Sequence, residues 1–390
     1  MKKILNGDFE LSKFSKTIIY IIIALLTIAY IVGGNIFYSS KVDVKKTSDK
    51  DYYKSEILEV GTETLDESIG WITTPVKIKI TSGDEKGLVT DAELIQDELF
   101  NNTTKKVAVG DKYIAYKHNL DGDEFWGLGE SIKSNKLLLL LIVFFAGLLI
   151  LGGKNGINTI ISLTATCLGV FMVFIPSILA GYNIYLNSII VCIFIILITL
   201  PLVAGLNKKC IAAICGCFGG VMASGLVTMI MSIYMNLSGM INEESVYLTY
   251  VSNKGVIDLK AIIFAAIIIG SLGATMDVAI SIASSMHEIA VESTGLTRRK
   301  LTLSGLRIGR DVMGTMTNTL ILAYIGSSLS VVILLIAYNS SLFEVLNKEA
   351  IVAEILQSLA GSIGMLLTIP ITAVISAHLY KSTKEEKMGI

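Results

Sequence analysis

INTIISLTATCLGVFMVFIPSILAGYNIYLNSIIVCIFIILITLPLVAGL, residues 157–206, decides the fold. Two apolar runs, 157–180 and 184–206, meet at Ala180-Gly181-Tyr182-Asn183. A hydrocarbon layer roughly 30 Å thick is crossed by about 20 apolar residues at 1.5 Å rise each. Both runs reach that length, and so tight a turn makes them an antiparallel hairpin. Six more runs follow the same pattern: 17–37, 137–151, 210–237, 259–286, 313–338 and 355–380. Gly152-Gly153-Lys154-Asn155 joins 137–151 to 157–180 as a second hairpin. The 137–151 run is short and is expected to tilt little or thin the bilayer locally. The expected fold class is therefore an α-helical polytopic membrane protein of about eight transmembrane helices.

Composition agrees. Of 390 residues, 53% are apolar and 17% charged, where soluble domains carry about 25% charge. Mean hydropathy is +0.67. A formal net charge of −1 offers no basic field for nucleic acid, so no nucleic-acid partner is expected. Cys167, Cys192, Cys210, Cys215 and Cys217 all fall in or beside apolar runs, which excludes a disulfide framework elsewhere. Cys215-Gly216-Cys217 is too tight and too apolar for a metal clip; no metal and no cofactor is expected.

Orientation follows the distribution of Lys and Arg over short loops. With the N-terminus inside, the inner side gathers Lys2, Lys3, Lys13, Lys16, Lys154, Lys208, Lys209, Arg298, Arg299, Lys300, Arg307, Arg310, Lys381, Lys384 and Lys387. The short outer loops hold only Lys254, Lys260 and Lys348. The first run lacks the cleavage site of a secretory signal and reads as a retained signal-anchor. The expected organisation is a cytoplasmic N-terminus and anchor (1–40), an outer domain (41–136), seven helices (137–381) and a cytoplasmic tail (382–390). Both termini lie inside.

Residues 41–136 carry 14 lysines and 19 acidic residues, and their periodicity changes to two. Val76-Lys77-Ile78-Lys79-Ile80 alternates, and Ser82-Gly83-Asp84 supplies a turn. Segments 53–60, 105–109 and 113–116 read as further strands. The expectation is a small extracytoplasmic β domain, an OB-like barrel, with His118 solvated.

Polar side chains in hydrocarbon are costly, so their spacing matters most. In the sixth run, Gly273, Asp277, Ser281, Ser284 and Glu288 recur at three- and four-residue intervals and share one helical face. In the seventh, Arg307, Asp311, Gly314 and Asn318 repeat the pattern, flanked by Arg310, Thr315 and Thr317. Both stripes lie toward the cytoplasmic side. The two helices are expected to face one another there, with Arg307 or Arg310 able to pair with Asp277 or Asp311. Two readings stand: these pairs tie helices together, or Asp277, Ser281, Ser284, Thr315 and Asn318 line a polar path with Arg307, Arg310, Asp311 and Glu288 as charge pairs or gate. Gly216, Gly220, Gly270, Gly273 and Gly314 are expected to pack helices closely. Pro201 and Pro370 are expected to kink theirs.

GSLGATMDVAISIASSMHE (270–288) and IGRDVMGTMTNTLILAYIGSSL (308–329), with a weaker match at 364–370, resemble the YibE/F family of bacterial multi-pass membrane proteins. The resemblance covers essentially the whole chain and supports Asp277, Arg310, Asp311 and Asn318 as motif positions. It implies a bacterial cell-membrane protein and carries no established activity. The reading is a permease or transporter subunit for a small solute or ion. The alternative is a non-transporting scaffold, sensor or partner subunit working through its outer domain. With no HExxH or GxSxG, an enzyme is not expected. Besides the lipid bilayer, a homo-oligomer or a partner membrane subunit is the expected association.

Overall fold

The computed structural model describes residues 13–43, 51–66, 70–97, 106–120, 123–251, 255–293, 296–338 and 341–387, excluding the side chains of 13–16, 118–120, 123–124 and 381–387. Lys2, Lys3, Lys105 and Lys254 lie outside the described residues, as do the side chains of Lys13, Lys16, His118, Lys381, Lys384 and Lys387. The chain divides into two units: Lys46–Gly147, and Met1–Lys45 with Leu148–Ile390.

The smaller unit is built on strands β1 (Tyr52–Val60), β2 (Thr64–Asp66), β3 (Trp71–Ile80), β4 (Val89–Asp97), β5 (Lys112–Leu120) and β6 (Asp123–Ser131). Hydrogen bonding runs β1-β5-β6-β4-β3, and β3 returns to β1, closing a five-stranded barrel. Short β2 extends the β1 edge of β3. All pairings are antiparallel except β4 with β6. Alternation drives closure, because period two sends one face inward. On β3, Ile72, Thr74, Val76, Ile78 and Ile80 are buried, and Val76, Ile78 and Ile80 join Ile57, Leu94, Ala115, Trp126 and Leu128 in one core. Pro75, lacking an N–H, sits where β1 hands over to β2 along β3, a ladder gap that suits proline.

One expected strand is absent. Among the described residues of 105–109, Lys106–Val109 form no strand. Asp111 Oδ2 accepts from the Ala108 amide at 3.0 Å, and Gly110 takes φ +87°, so the segment turns instead. Three strands went unanticipated: short β2, β4 and β6. On β4 only Ala92 and Leu94 are buried, and on β6 glycines interrupt the pattern. Gly127 is needed there, since a Cβ would stand 2.7 Å from the Tyr116 ring.

The larger unit is helical. Helices α1 (Lys13–Ile28) and α2 (Gly34–Ser39) join through a π turn, Ala29–Gly33. Helix α3 (Ser134–Leu168), whose start belongs to the smaller unit, passes by a second π turn, Gly169–Phe174, into α4 (Ile175–Leu179). Then come α5 (Ile184–Ala204), α6 (Lys208–Tyr234), α7 (Glu243–Val251), α8 (Leu259–Glu292), α9 (Arg298–Ser327), α10 (Leu329–Tyr338), α11 (Leu342–Asn347) and α12 (Glu349–Lys387). Side-chain caps start several of them: Asn183 accepts from Leu186 N at 2.9 Å, and Asn207 from Cys210 N at 3.0 Å.

Among the described residues, six stretches are long and apolar enough to cross a membrane: Thr17–Ser39, Ser134–Leu179, Ile184–Ala204, Lys208–Tyr234, Leu259–Glu292 and Glu349–Tyr380. A seventh arises if α9 and α10, bent by 62°, count as one. Run 313–338, expected as a single helix, is therefore broken. Ser327 and Ser328 hydroxyls both donate to the Tyr324 carbonyl, at 2.8 and 3.0 Å, and such back-bonding bends helices. Helix α3 is broken as well, at Gly153 (φ 52°, ψ −124°). A Cβ on Gly156 would collide with the Leu148 carbonyl, although eight residues of straight helix span about 12 Å. The chain doubles back there, as the Gly152-Gly153 signal predicts. Helix continues through both Pro201 and Pro370.

Helix α8 is the axis of the bundle, touching α5, α6, α9 and α12. Ile267, Ile268, Ile282 and Met286 on it are fully buried. The closest seam joins α6 to α12. A Cβ on Gly216 would collide with the Thr372 hydroxyl, and one on Gly220 or Gly364 would stand 2.7 Å from the other's carbonyl oxygen. Small residues at four-residue spacing let backbones touch this way. The first helix also joins the bundle: Tyr30 stacks on Phe194 at 4.0 Å, and Tyr38 donates to Asn187 Oδ1 at 3.1 Å.

Candidate functional site

Between residues 261 and 290, the exposed residues of α8 are Ala266, Gly270, Gly273, Asp277, Ser281 and Glu288, with Ser284 half-buried on the same line. They form one narrow stripe of small and polar side chains. A lipid-facing helix looks different: α6 exposes Ile211, Phe218, Met222, Leu226, Met229, Ile230 and Ile233. The open face of α8 is thus unsuited to hydrocarbon, since a carboxylate at a helix centre costs about 2.5–3.5 kcal/mol there.

Helix α9 adjoins α8, as the matched spacing predicts. Their seam, however, is apolar. A Cβ on Gly305 would collide with the Met286 sulfur; one on Gly309 would stand 3.2 Å from Ile282 Cδ1. Leu301, Val278 and Ile369 complete this cluster. The two polar stripes flank the seam instead of filling it, so Arg307, Arg310, Asp311, Gly314, Thr315 and Asn318 are exposed. Among the described residues, no ion pair joins Arg307 or Arg310 to Asp277 or Asp311. That expectation is corrected: the glycines of α9 admit Met286 and Ile282, and apolar packing sets which face turns inward.

Contacts at the seam fix the levels. Gly270 lies against Tyr324, Ile282 against Gly309, and Met286 against Gly305. The helices are therefore antiparallel, with Asp277 level with the Thr315 turn, Ser281 with Asp311, and Glu288 within about a turn of Arg307.

The packing glycines divide. Gly216, Gly220 and Gly270 meet neighbours closely, whereas Gly273 and Gly314 have nothing within 4 Å of a would-be Cβ. The last two do not pack helices within this chain.

A polar cluster escaped the sequence reading. The Tyr324 hydroxyl would stand 2.7 Å from a Cβ on Gly270, and Gln357 Nε2 3.8 Å from it. Tyr324, Ser328, Glu354 and Ser358 line a pocket of about 260 Å³ whose remaining walls include Ile321, Ile325 and Leu359. Glu354 lies one residue before the 355–380 run. Its spacing to Gln357 and Ser358 was the available signal. Also missed was Glu349, whose carboxylate accepts from Ser238 N (2.7 Å), Ser238 Oγ (2.8 Å) and Gly239 N (2.6 Å). It fastens the segment after α6 to the start of α12. Buried hydroxyls deeper in the bundle serve their own helices. Thr228, Thr275, Ser362 and Thr368 donate to carbonyls three or four residues back.

Apolar helices of spanning length define a helical membrane protein, here carrying a small closed β barrel. A family profile described as YibE/F-like protein matches residues 140–382, and the chain belongs to that family. The match begins beyond the barrel strands. No curated protein and no solved structure matches the chain.

Proposed function

We propose that this YibE/F-like protein is a permease of the bacterial cell membrane, moving a small solute or ion along the open stripe of α8. One observation carries the reading. Between residues 261 and 290, the central helix of the bundle exposes to its surroundings only glycine, alanine, serine and carboxylate, with Asp277 midway along the stripe. Intramembrane carboxylates usually face water-filled cavities or partners. Asp277 binds or relays the ion; Ser281, Ser284, Thr315 and Asn318 supply oxygen ligands beside it. Arg307, Arg310, Asp311 and Glu288 form the cytoplasmic mouth, and Tyr324 with Gln357 narrows the other end over Gly270. No GxxxxGK[ST] motif is present, so the driving force within this chain is an ion gradient.

Topology in this reading is eight spans with both termini cytoplasmic. The broken Ser134–Leu179 stretch contributes two spans divided at Gly153, and α9 with α10 contributes one bent span. The barrel is extracytoplasmic. Counting β1 and β2 as one bent strand, its order is 1-2-3-5-4-1 with one parallel pair, the arrangement of an OB barrel.

The test is reconstitution of the full chain in liposomes with pH- and ion-sensitive dyes. Wild type should dissipate an imposed proton or cation gradient, and Asp277→Asn should lose that flux while inserting normally. Absence of flux in wild type under every gradient overturns the permease reading and leaves a scaffold or partner-subunit role.

A further inference from the structure

We infer that a second copy of this chain docks along the open polar stripes of α8 and α9. The inference shares with the permease reading the placement of these helices in the bilayer, but it does not require that anything be transported. Within one copy, Asp277, Glu288, Arg307, Arg310 and Asp311 are all exposed. Lipid cannot receive them, and a polar surface at this depth must be covered by protein or enclose water.

The chemistry of the surface identifies its cover. It carries both signs of charge, two arginines beside three carboxylates, and so contains its own counter-ions. A two-fold axis along the membrane normal brings together residues at equal depth, because the interface is isologous. Glu288 and Arg307 lie within about a turn of the same level on antiparallel helices. The axis therefore sets Glu288 of each copy near the other copy's Arg307. Higher up, Ala266, Gly270 and Gly273 leave a shallow track, and the emptiness around Gly273 and Gly314 admits a facing backbone. Closure by a second copy also turns two lipid-open grooves into one polar enclosure containing both Asp277 side chains.

Cross-linking in native membranes tests this with the full-length chain. The five native cysteines are replaced by serine or alanine. Single cysteines are then placed at Ala266, Gly270, Gly273, Asp277, Ser281 and Gly314, with Leu226 and Ile233 on exposed α6 as controls. Oxidation should give a species of twice 42.1 kDa, strongest along the α8 stripe at helical period and weak at both controls. Gly273→Cys and Gly314→Cys meet no neighbour in the protomer, so misfolding is not an escape. Glu288→Arg or Arg307→Glu alone should lower the yield at Gly273→Cys several-fold, and the two together should restore it. Cross-linking no stronger on the stripe than at the controls overturns the inference. So does a product of any mass other than the doubled one, which would place a different protein there. Dimer without flux would retire the permease reading alone; flux from a chain that never cross-links would retire the dimer alone.

Discussion

Five glycines look alike in the sequence, and alanine substitution should separate them. At Gly220, a new Cβ stands 2.7 Å from the Gly364 carbonyl oxygen, and the reverse holds at Gly364. Ordinary contact begins near 3.4 Å, so α6 and α12 must part by roughly 0.7 Å along their tightest seam. A gap of 0.5–1 Å forfeits about a quarter to a half of each dispersion well across it, and overpacking of this kind costs about 1–3 kcal/mol. Gly314→Ala meets nothing and gains helix propensity, up to about 1 kcal/mol. Both tryptophans, Trp71 and Trp126, lie in the barrel, so intrinsic fluorescence would miss the event. A dye that lights up on reacting with thiols reads the helices, because Cys192, Cys210 and Cys217 are buried there; exposed Cys167 and Cys215 are first removed. Gly220→Ala and Gly364→Ala should lower the midpoint of thiol exposure in detergent by several degrees, while Gly314→Ala leaves it unchanged or raises it by up to about 4 degrees. Equal midpoints for all three, or greatest damage at Gly314, would refute the packing argument.

Two further substitutions probe separate parts of the molecule. Ile78→Ala removes a fully buried side chain from the barrel core and should destabilise that unit by about 2–5 kcal/mol, read from tryptophan emission, with thiol exposure in the bundle unmoved. Glu349→Gln should weaken, and Glu349→Ala abolish, the clamp on Ser238 and Gly239. Hydrogen bonds to a charged acceptor contribute about 1.5–3 kcal/mol each when buried, less at this partly open site, so proteolysis after α6 should accelerate in the order wild type, Gln, Ala.

Much of the architecture was legible because it depends on long-period signals. Apolar runs, the Gly152-Gly153 reversal and the alternation of Val76 to Ile80 all reflect local geometry, and each reappears in the structure. What escaped depends on neighbours. The stripes of α8 and α9 were placed correctly on their helices, but periodicity cannot say which face turns toward which helix. Gly305 and Gly309 decided that by admitting Met286 and Ile282. Glu354 was lost because a hydropathy boundary fell beside it. Strands β4 and β6 were lost because barrel closure buries only two apolar residues on each. The break at Ser328 turns on two hydroxyls competing for one carbonyl, a contest that composition does not reveal.

The account rests on the open stripe of α8 meeting water and not lipid. In a cysteine-free background, Ser281→Cys and Leu226→Cys are each exposed to a charged, membrane-impermeant thiosulfonate added to inside-out vesicles. Leu226 belongs to the apolar exposed face of α6 and should stay unmodified. Ser281→Cys should react at a rate at least tenfold higher, and faster still than Gly273→Cys deeper along the stripe. Equal and negligible labelling at Ser281 and Leu226 would contradict the account.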